Sequence, residues 1–301
     1  SALLDPHSEA PVRRAAAAHL ARLADEGVRG ADPAEWYALT ELSDDSPLVL
    51  DGEQIRVSPS QVETFGSCEL RWMLETAAGA QRPHTSSGLG SIVHALTVLA
   101  AEGADLPEIQ RRMDQVWSDL DFGGPWYAEK QRQKAEEMLQ RFLDWQKENP
   151  RELVATEEGF RVEIDGIEIV GRVDRLERDG EGRGVVVDIK TGTPVPDREI
   201  GRHPQLGVYQ LAVLMSAFEH YGLAEPGGAA LLQIGDKRRT AKEQAQPALT
   251  DDPDPGWSER LVREVAAGMA GARFRARAGA SCRHCSVRSS CPVQSEGDRV
   301  E

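Results

Sequence analysis

The chain has 301 residues, 40% of them hydrophobic and 28% charged, with a formal net charge of −15. Its length suffices for one large domain or two small ones, and no apolar run approaches the ~20 residues that cross a bilayer. The charge is wrong for a protein that simply coats nucleic acid, although a local basic groove is compatible with it, since clustered carboxylates can accompany a metal site. The opening segment, SALLDPHSEAPVRRAAAAHL, is polar and broken by prolines, unlike a secretory signal. A cytoplasmic location is expected, and the start at Ser1 rather than methionine suggests a domain taken from a longer protein. Four cysteines in that setting are more readily ligands or buried thiols than disulfides.

Residues 11–26 mix Arg, Asp and Glu with Ala and Leu and read as a surface helix. Turn signals follow at Gly30-Ala31-Asp32-Pro33 and Asp44-Asp45-Ser46-Pro47, and VLDGEQIRVS suits a short hairpin about Asp51-Gly52. Residues 1–57 are therefore expected to be an N-terminal extension, with the main domain over 58–301. Ser58 is placed to cap a helix with Pro59 at its first position. That helix is predicted to run over 60–76, with Cys68 in its middle beside Phe65, Leu70, Trp72 and Met73. A loop is expected over 81–90. The next helix carries Ile92, Val93, Leu96 and Leu99 as an apolar stripe, and His94 sits in it. A lone histidine in a helix is usually a satisfied core or boundary residue. Two amphipathic helices, 107–120 and 127–148, flank an FGGPW loop.

From Glu152 the hydrophobic period changes to two. ATEEGFRVEI, a turn at Asp165-Gly166, and IEIVGRVDRLER read as a hairpin of an antiparallel meander. Asp179-Gly180 and the glycines at 182 and 184 connect it to Val185-Val186-Val187, a β-branched run that favours a buried strand. Asp188 and Lys190 lie two apart on that strand and so project from one face, roughly 7 Å apart. Asp174 can reach the same face from the neighbouring strand. A structural hairpin rarely aims two acids and a lysine at one spot beside a valine run, because unpaired buried charge is costly; the plainer reading is an Asp–Lys ion pair. Pro194 and Pro196 end the strand. A loop with Arg198, Arg202 and His203 leads to a helix from Gln205 to about His220. A short strand is expected over 228–235, a loop over 236–256, and a helix from Trp257 to about Phe274.

Cys282, Cys285 and Cys291 form C-x₂-C-x₅-C, and the fourth cysteine, Cys68, lies far upstream. Together they suggest a four-thiolate site tying the tail to the first long helix, with His284 a possible substitute ligand. Zinc and iron–sulfur clusters both accept four thiolates, and spacing alone does not separate them.

The series Gly90-Ser91-Ile92-Val93-His94, Gly171-Arg172-Val173-Asp174-Arg175, Asp188-Ile189-Lys190-Thr191-Gly192 and Gln205-Leu206-Gly207-Val208-Tyr209 resembles the RecB-like branch of the PD-(D/E)XK nucleases, with its His, GxxDR, DxKTG and QxxxY motifs in that order. The flanking cysteines resemble the iron–sulfur members of that branch, above all the C-terminal nuclease modules of AdnAB- and AddAB-type helicase–nucleases. The resemblance covers about 58–292. It implies an α/β (α+β) core, a mixed and mainly antiparallel sheet flanked by helices, with an iron–sulfur-stapled tail. It further implies that His94, Asp174, Asp188 and the Ile189 carbonyl bind Mn²⁺ or Mg²⁺, and that Lys190 positions water and stabilises phosphate charge. Gln205 and Tyr209 would touch DNA or brace the site, with Arg172, Arg175, Arg198 and Arg202 along the DNA path. Cys68, Cys282, Cys285 and Cys291 would hold a [4Fe–4S] cluster.

The chemistry agrees with that implication. Phosphodiester hydrolysis needs a Lewis acid and an activated water, which one divalent ion supplies; hard oxygen ligands suit Mg²⁺ or Mn²⁺, and an imidazole favours Mn²⁺. The resemblance implies a metal-dependent deoxyribonuclease working on single strands or duplex ends in DNA repair, and no membrane attachment is expected. No G-x-x-x-x-G-K-[ST] occurs, so any helicase motor lies upstream or in a partner. Two alternatives stand beside it: a non-catalytic DNA-end-binding or scaffold module that keeps the cluster, and a zinc-stapled interaction domain with an incidental Asp–Lys pair.

Overall fold

The computed structural model describes residues 9–33, 45–50, 52–77, 79, 85–120, 122–236 and 238–294. The chain divides into two units, 1–46 and 47–301. The first contains helix α1 (Ala10–Asp25), rich in alanine and without a buried residue. Of the turn expected at 44–47 and the hairpin expected about 51–52, residues 44 and 51 lie outside the described residues.

In the second unit, strand β1 (Ile55–Val57) pairs in parallel with the start of a long strand rather than folding into a local hairpin. The main domain was expected to begin at Ser58, yet this strand is bonded into its sheet. Helix α2 (Pro59–Ser67) opens with a capping box: the Ser58 hydroxyl accepts from the Gln61 amide, and the Gln61 side chain accepts from the Ser58 amide. The expected continuous helix breaks at Cys68, whose backbone is extended (φ −164°, ψ 110°). Helix α3 (Glu69–Trp72) restarts beyond it and passes into a π-helical turn, Met73–Ala77. Helix α4 (Thr85–Ala101) starts within the stretch expected to be a loop, and α5 (Leu106–Ser118) and α6 (Pro125–Glu148) follow.

Strands β2 (Glu152–Ile164), β3 (Ile167–Arg178) and β4 (Gly184–Lys190) form the expected antiparallel meander. A short helix α7 (Asp197–Ile200) and helix α8 (Pro204–Leu214) then cross over to β5 (Pro226–Gln233), which pairs with β4 in parallel. Strand β6 (Lys242–Gln246) lies antiparallel on β5, within the stretch expected to be a loop. The sheet is therefore mixed, in the order β1-β3-β4-β5-β6, with β2 on the other edge of β3. Helix α9 (Trp257–Ala270) stops before the expected Phe274.

Two apolar layers cover the sheet. One face packs Val186, Leu231 and Val173 against α2, α8 and α9 through Phe65, Leu206, Trp257 and Val262. The other packs Val185, Val187, Ile189 and Leu232 against α4–α6 through Val93, Ile109, Met138 and Phe142. β4 is buried on both faces, as a central strand beside a parallel neighbour should be. Gly207 lets α8 meet α9: a Cβ there would stand 2.3 Å from the Trp257 ring.

Candidate active site

The site forms where two paired strands part. The β3–β4 ladder runs from Arg178↔Gly184 to Arg175↔Val187 and ends there. Beyond it, Asp188, Ile189 and Lys190 keep only their pairing with β5. The Ile189 amide, which has lost its strand partner, donates instead to Asp174 Oδ2 at 2.7 Å. One side chain thus satisfies the open backbone group and brings the two aspartates together. His94, on α4, places Nδ1 3.6 Å from the same Asp174 oxygen.

Asp188 is buried at 3% exposure. Its Oδ1 accepts from Gln205 Nε2 at 3.0 Å and from the Tyr209 hydroxyl at 3.1 Å. Its Oδ2 has Lys190 Nζ at 2.7 Å as an ion-pair partner but accepts no hydrogen bond of good geometry. Lys190 Nζ also donates to Gln205 Oε1 at 2.8 Å. Gln205 and Tyr209 lie one helical turn apart on α8, and their side chains bond to each other at 3.1 Å. Both are buried, and both donate to the Asp188 carboxylate.

These contacts set the charges. Burial, then the negative charge of Asp188, pushes the Asp174 carboxyl up to about 7; the Ile189 amide pulls the other way. Burial alone would lower the Lys190 ammonium, but Asp188, Glu63 and Asp174 outweigh it and hold it above its ordinary value. Lys190 is therefore a fixed cation. Burial lowers His94, leaving its imidazole neutral and free to ligate. Burial raises Tyr209, which stays a hydroxyl donor.

The donor set fits a divalent cation. Ligand atoms of His94, Glu157 and Asp174 all lie within 4.8 Å of one another, and Asp188 Oδ2 is a buried carboxylate oxygen without a hydrogen bond. Oxygen donors with one imidazole suit Mg²⁺ or Mn²⁺. Glu157 was not singled out from the sequence. Its signal was weak: a glutamate in ATEEGF, directly across the β2–β3 ladder from Asp174.

The arginines diverge. Arg172 is exposed and pairs with Glu157 at 3.2 Å. Together with Arg112, His94 and Asp174 it lines a cleft of about 1160 Å³. Arg202 is exposed and pairs with Asp252 at 2.7 Å, and Arg198 with Glu199 at 3.4 Å. Both border a second cleft of about 890 Å³ near Glu63 and His203. Arg175 corrects an expectation: it is 3% exposed, bonded to Glu177 and to Gln146 Oε1 at 2.9 Å. It is a structural cation and has no access to a DNA path.

The four cysteines converge, lining one small cavity with Leu70, Arg71, Arg277 and Val287. None is in a disulfide. The Arg277 amide lies 3.5 Å from the Cys68 sulfur, and the Gly279 amide 3.3 Å from that of Cys282. The side chain of His284 lies outside the described residues.

The profile of the PD-(D/E)XK nuclease superfamily matches residues 56–292. The chain belongs to that superfamily. The matched span contains the sheet except Ile55, with His94, both aspartates, Lys190 and all four cysteines. No curated protein matches the chain. Among solved structures, the protein SSO0001 is 16% identical, with 81% of this chain and 89% of that one covered and a TM-score of 0.38. A candidate exonuclease from Eubacterium rectale is 16% identical over 75% of this chain and 86% of its own, with a TM-score of 0.44. Among the described residues no helix is long and apolar enough to cross a membrane.

Proposed function

We propose that this chain is a metal-dependent DNA nuclease acting at DNA ends, in the manner of a nuclease module attached to or partnered by a helicase motor. The observation that carries the reading is the parting of β3 from β4, where Asp174 captures the Ile189 amide beside Asp188 and Lys190. His94, Asp174, Asp188 and the Ile189 carbonyl would hold Mn²⁺ or Mg²⁺. When bound, the ion supplies the Lewis acid for the scissile phosphate and a more acidic water. The rest is the work of the protein's own groups. Lys190, charged throughout the neutral range, orients the water and stabilises the negative charge that develops on phosphate. Gln205 and Tyr209 fix the Asp188 carboxylate, so that its orientation is set before substrate arrives. Arg172 stands over the cleft as a phosphate contact.

Cys68, Cys282, Cys285 and Cys291 would carry an iron–sulfur cluster with a structural role. Their shared cavity supports this, and so do the amides directed at sulfur. The cluster would link the extended break at Cys68 to the tail across a long loop whose closure is entropically costly. Resection of broken DNA, and a preference for single strands, belong to the same proposal.

The test of this reading is metal-dependent cleavage of labelled DNA by the wild type together with iron and sulfide analysis of the purified protein. Cleavage with iron present supports both halves. Zinc without iron would reassign the cysteines while leaving the nuclease reading intact. A folded protein that binds DNA ends but does not cut would favour the scaffold reading.

A further inference from the structure

Glu157 has a backbone that its place in the chain does not explain. Among the described residues, three that are not glycine have positive φ. Asp165 is in the β2–β3 turn and Ser216 follows α8, where such values are ordinary. Glu157 (φ 50°) lies inside a strand, between the pairs Thr156↔Arg175 and Glu158↔Val173. A residue with a Cβ is disfavoured there. Across the ladder from the kink, Val173 and Leu176, three residues apart and so of opposite parity, are both buried in the same apolar layer, and Asp174 lies between them. The same kink delivers the Glu157 carboxylate to within 4.8 Å of ligand atoms on both His94 and Asp174. The other Glu157 contact is Arg172, whose Nη1 lies 3.2 Å away and whose side chain is 66% exposed. An exposed ion pair contributes little by itself and gives no reason for a strained strand residue aimed at two metal ligands.

We infer that Glu157 is a further ligand of the divalent ion, and that Arg172 is its counter-ion only in the ion-free protein, passing to a substrate phosphate once the ion is bound. This rests on the nuclease reading. A 2+ ion beside Glu157 takes up the charge that holds Arg172. The guanidinium, already lining the cleft, is then free for bidentate contact with phosphate. Metal loading would thus complete the catalytic centre and release a DNA contact in one step, keeping an empty site from gripping DNA it cannot cut.

The experiment measures Mn²⁺ uptake by electron paramagnetic resonance and binding of a short single-stranded oligonucleotide in EDTA. It compares wild type, Glu157→Gln, Glu157→Asp and Arg172→Gln, with folding checked by circular dichroism. Glu157→Gln should weaken Mn²⁺ binding by at least about 10–100-fold, the loss seen when even an outer-shell partner of a metal ligand is removed. Glu157→Asp, which keeps the charge but withdraws the carboxylate, should also weaken it. Arg172→Gln should strengthen Mn²⁺ binding by about threefold, through loss of a positive neighbour. In EDTA, Glu157→Gln should bind the oligonucleotide more tightly than wild type, because Arg172 is already free. Mn²⁺ binding by Glu157→Gln equal to wild type would overturn the inference, as would weaker Mn²⁺ binding by Arg172→Gln. Failure of the underlying reading looks different: wild type itself takes up no Mn²⁺, or Asp174→Asn binds it unchanged.

Discussion

Glu177→Ala would remove the acceptor at the centre of a buried ion cluster, and the cost can be worked from the contacts. Glu177 is fully buried. Its Oε1 accepts from Arg175 Nε and from Asn149 Nδ2 at 2.6 Å, and its Oε2 from Arg151 Nε at 2.5 Å. Arg151 keeps Glu243 at 2.9 Å when Glu177 is gone. Arg175 keeps only neutral contacts, Gln146 and the face of Trp145 with its centroid at 5.3 Å. One guanidinium is then buried without a counter-charge, which costs about 3–5 kcal/mol, a large part of the ~5–15 kcal/mol that holds a typical domain together. Arg175→Met is the milder change. It leaves Glu177 paired with Arg151 and Asn149 and fills the volume of the stem, at about 1–2 kcal/mol. Urea unfolding followed by circular dichroism reads both values. DNA affinity of folded Arg175→Met should equal that of wild type. Glu177→Ala costing less than about 1 kcal/mol, or the reverse order of the two, would refute the reasoning. A loss of DNA affinity in Arg175→Met would return this arginine to the substrate path.

Further outcomes follow from the site. Asp174 is raised from 3.8 to about 7 in the ion-free protein, so the fold favours its protonated form. Its contribution is complete below pH 3.8 and is lost as the pH rises through 7; melting in EDTA should fall over that window for wild type and stay flatter for Asp174→Asn. Added Mn²⁺, which replaces the proton, should recover most stability at the alkaline end. Tyr209→Phe removes one of two donors to Asp188 Oδ1; cleavage should slow by roughly tenfold with about 1 kcal/mol lost in folding, and a loss as complete as that of Asp188→Ala would show Tyr209 to be more than a brace. Gly235→Ala would put a Cβ 1.9 Å from the Thr191 carbonyl oxygen, displacing the loop that follows Lys190; thermal melting and cleavage should both suffer. Cys285→Ala should lose iron and fold poorly, and a stable, fully active Cys285→Ala protein would remove the structural role of the cluster.

Much of this was legible in the sequence because it is local. Period-two patterning marked β2 and β3, the valine run marked β4, and Ser58 with Pro59 marked the start of α2. The facing of Asp188 and Lys190 followed from strand geometry alone. What was missed depends on partners distant in the chain. β1 is three residues that gain meaning only beside β3. β6, KEQAQ, reads as polar loop; it is a strand because β5 supplies its hydrogen bonds and Gln244 and Gln246 are buried among Gln233, Gln210 and backbone carbonyls. Cys68 looked like one more residue in a continuous apolar helix, and its extended backbone is set by the segment at Arg275–Arg277 that packs on it. Arg175 shared a motif with Arg172 and was expected beside it; Gln146 and Trp145 of α6 and the Glu177 carboxylate enclose it, whereas Arg172 stays at the open cleft. Glu157 had no motif at all, since only the kink in β2 brings it to the histidine.

The most direct test of the account compares cleavage of end-labelled single- and double-stranded DNA by wild type and Asp188→Ala, each folded and with its iron content measured, in Mn²⁺, Mg²⁺ and EDTA. The account predicts cutting by wild type with either ion, none in EDTA, and none by Asp188→Ala under any condition, with DNA binding retained. Equal cutting by both proteins, or cutting by wild type in EDTA, would contradict the assignment of the site.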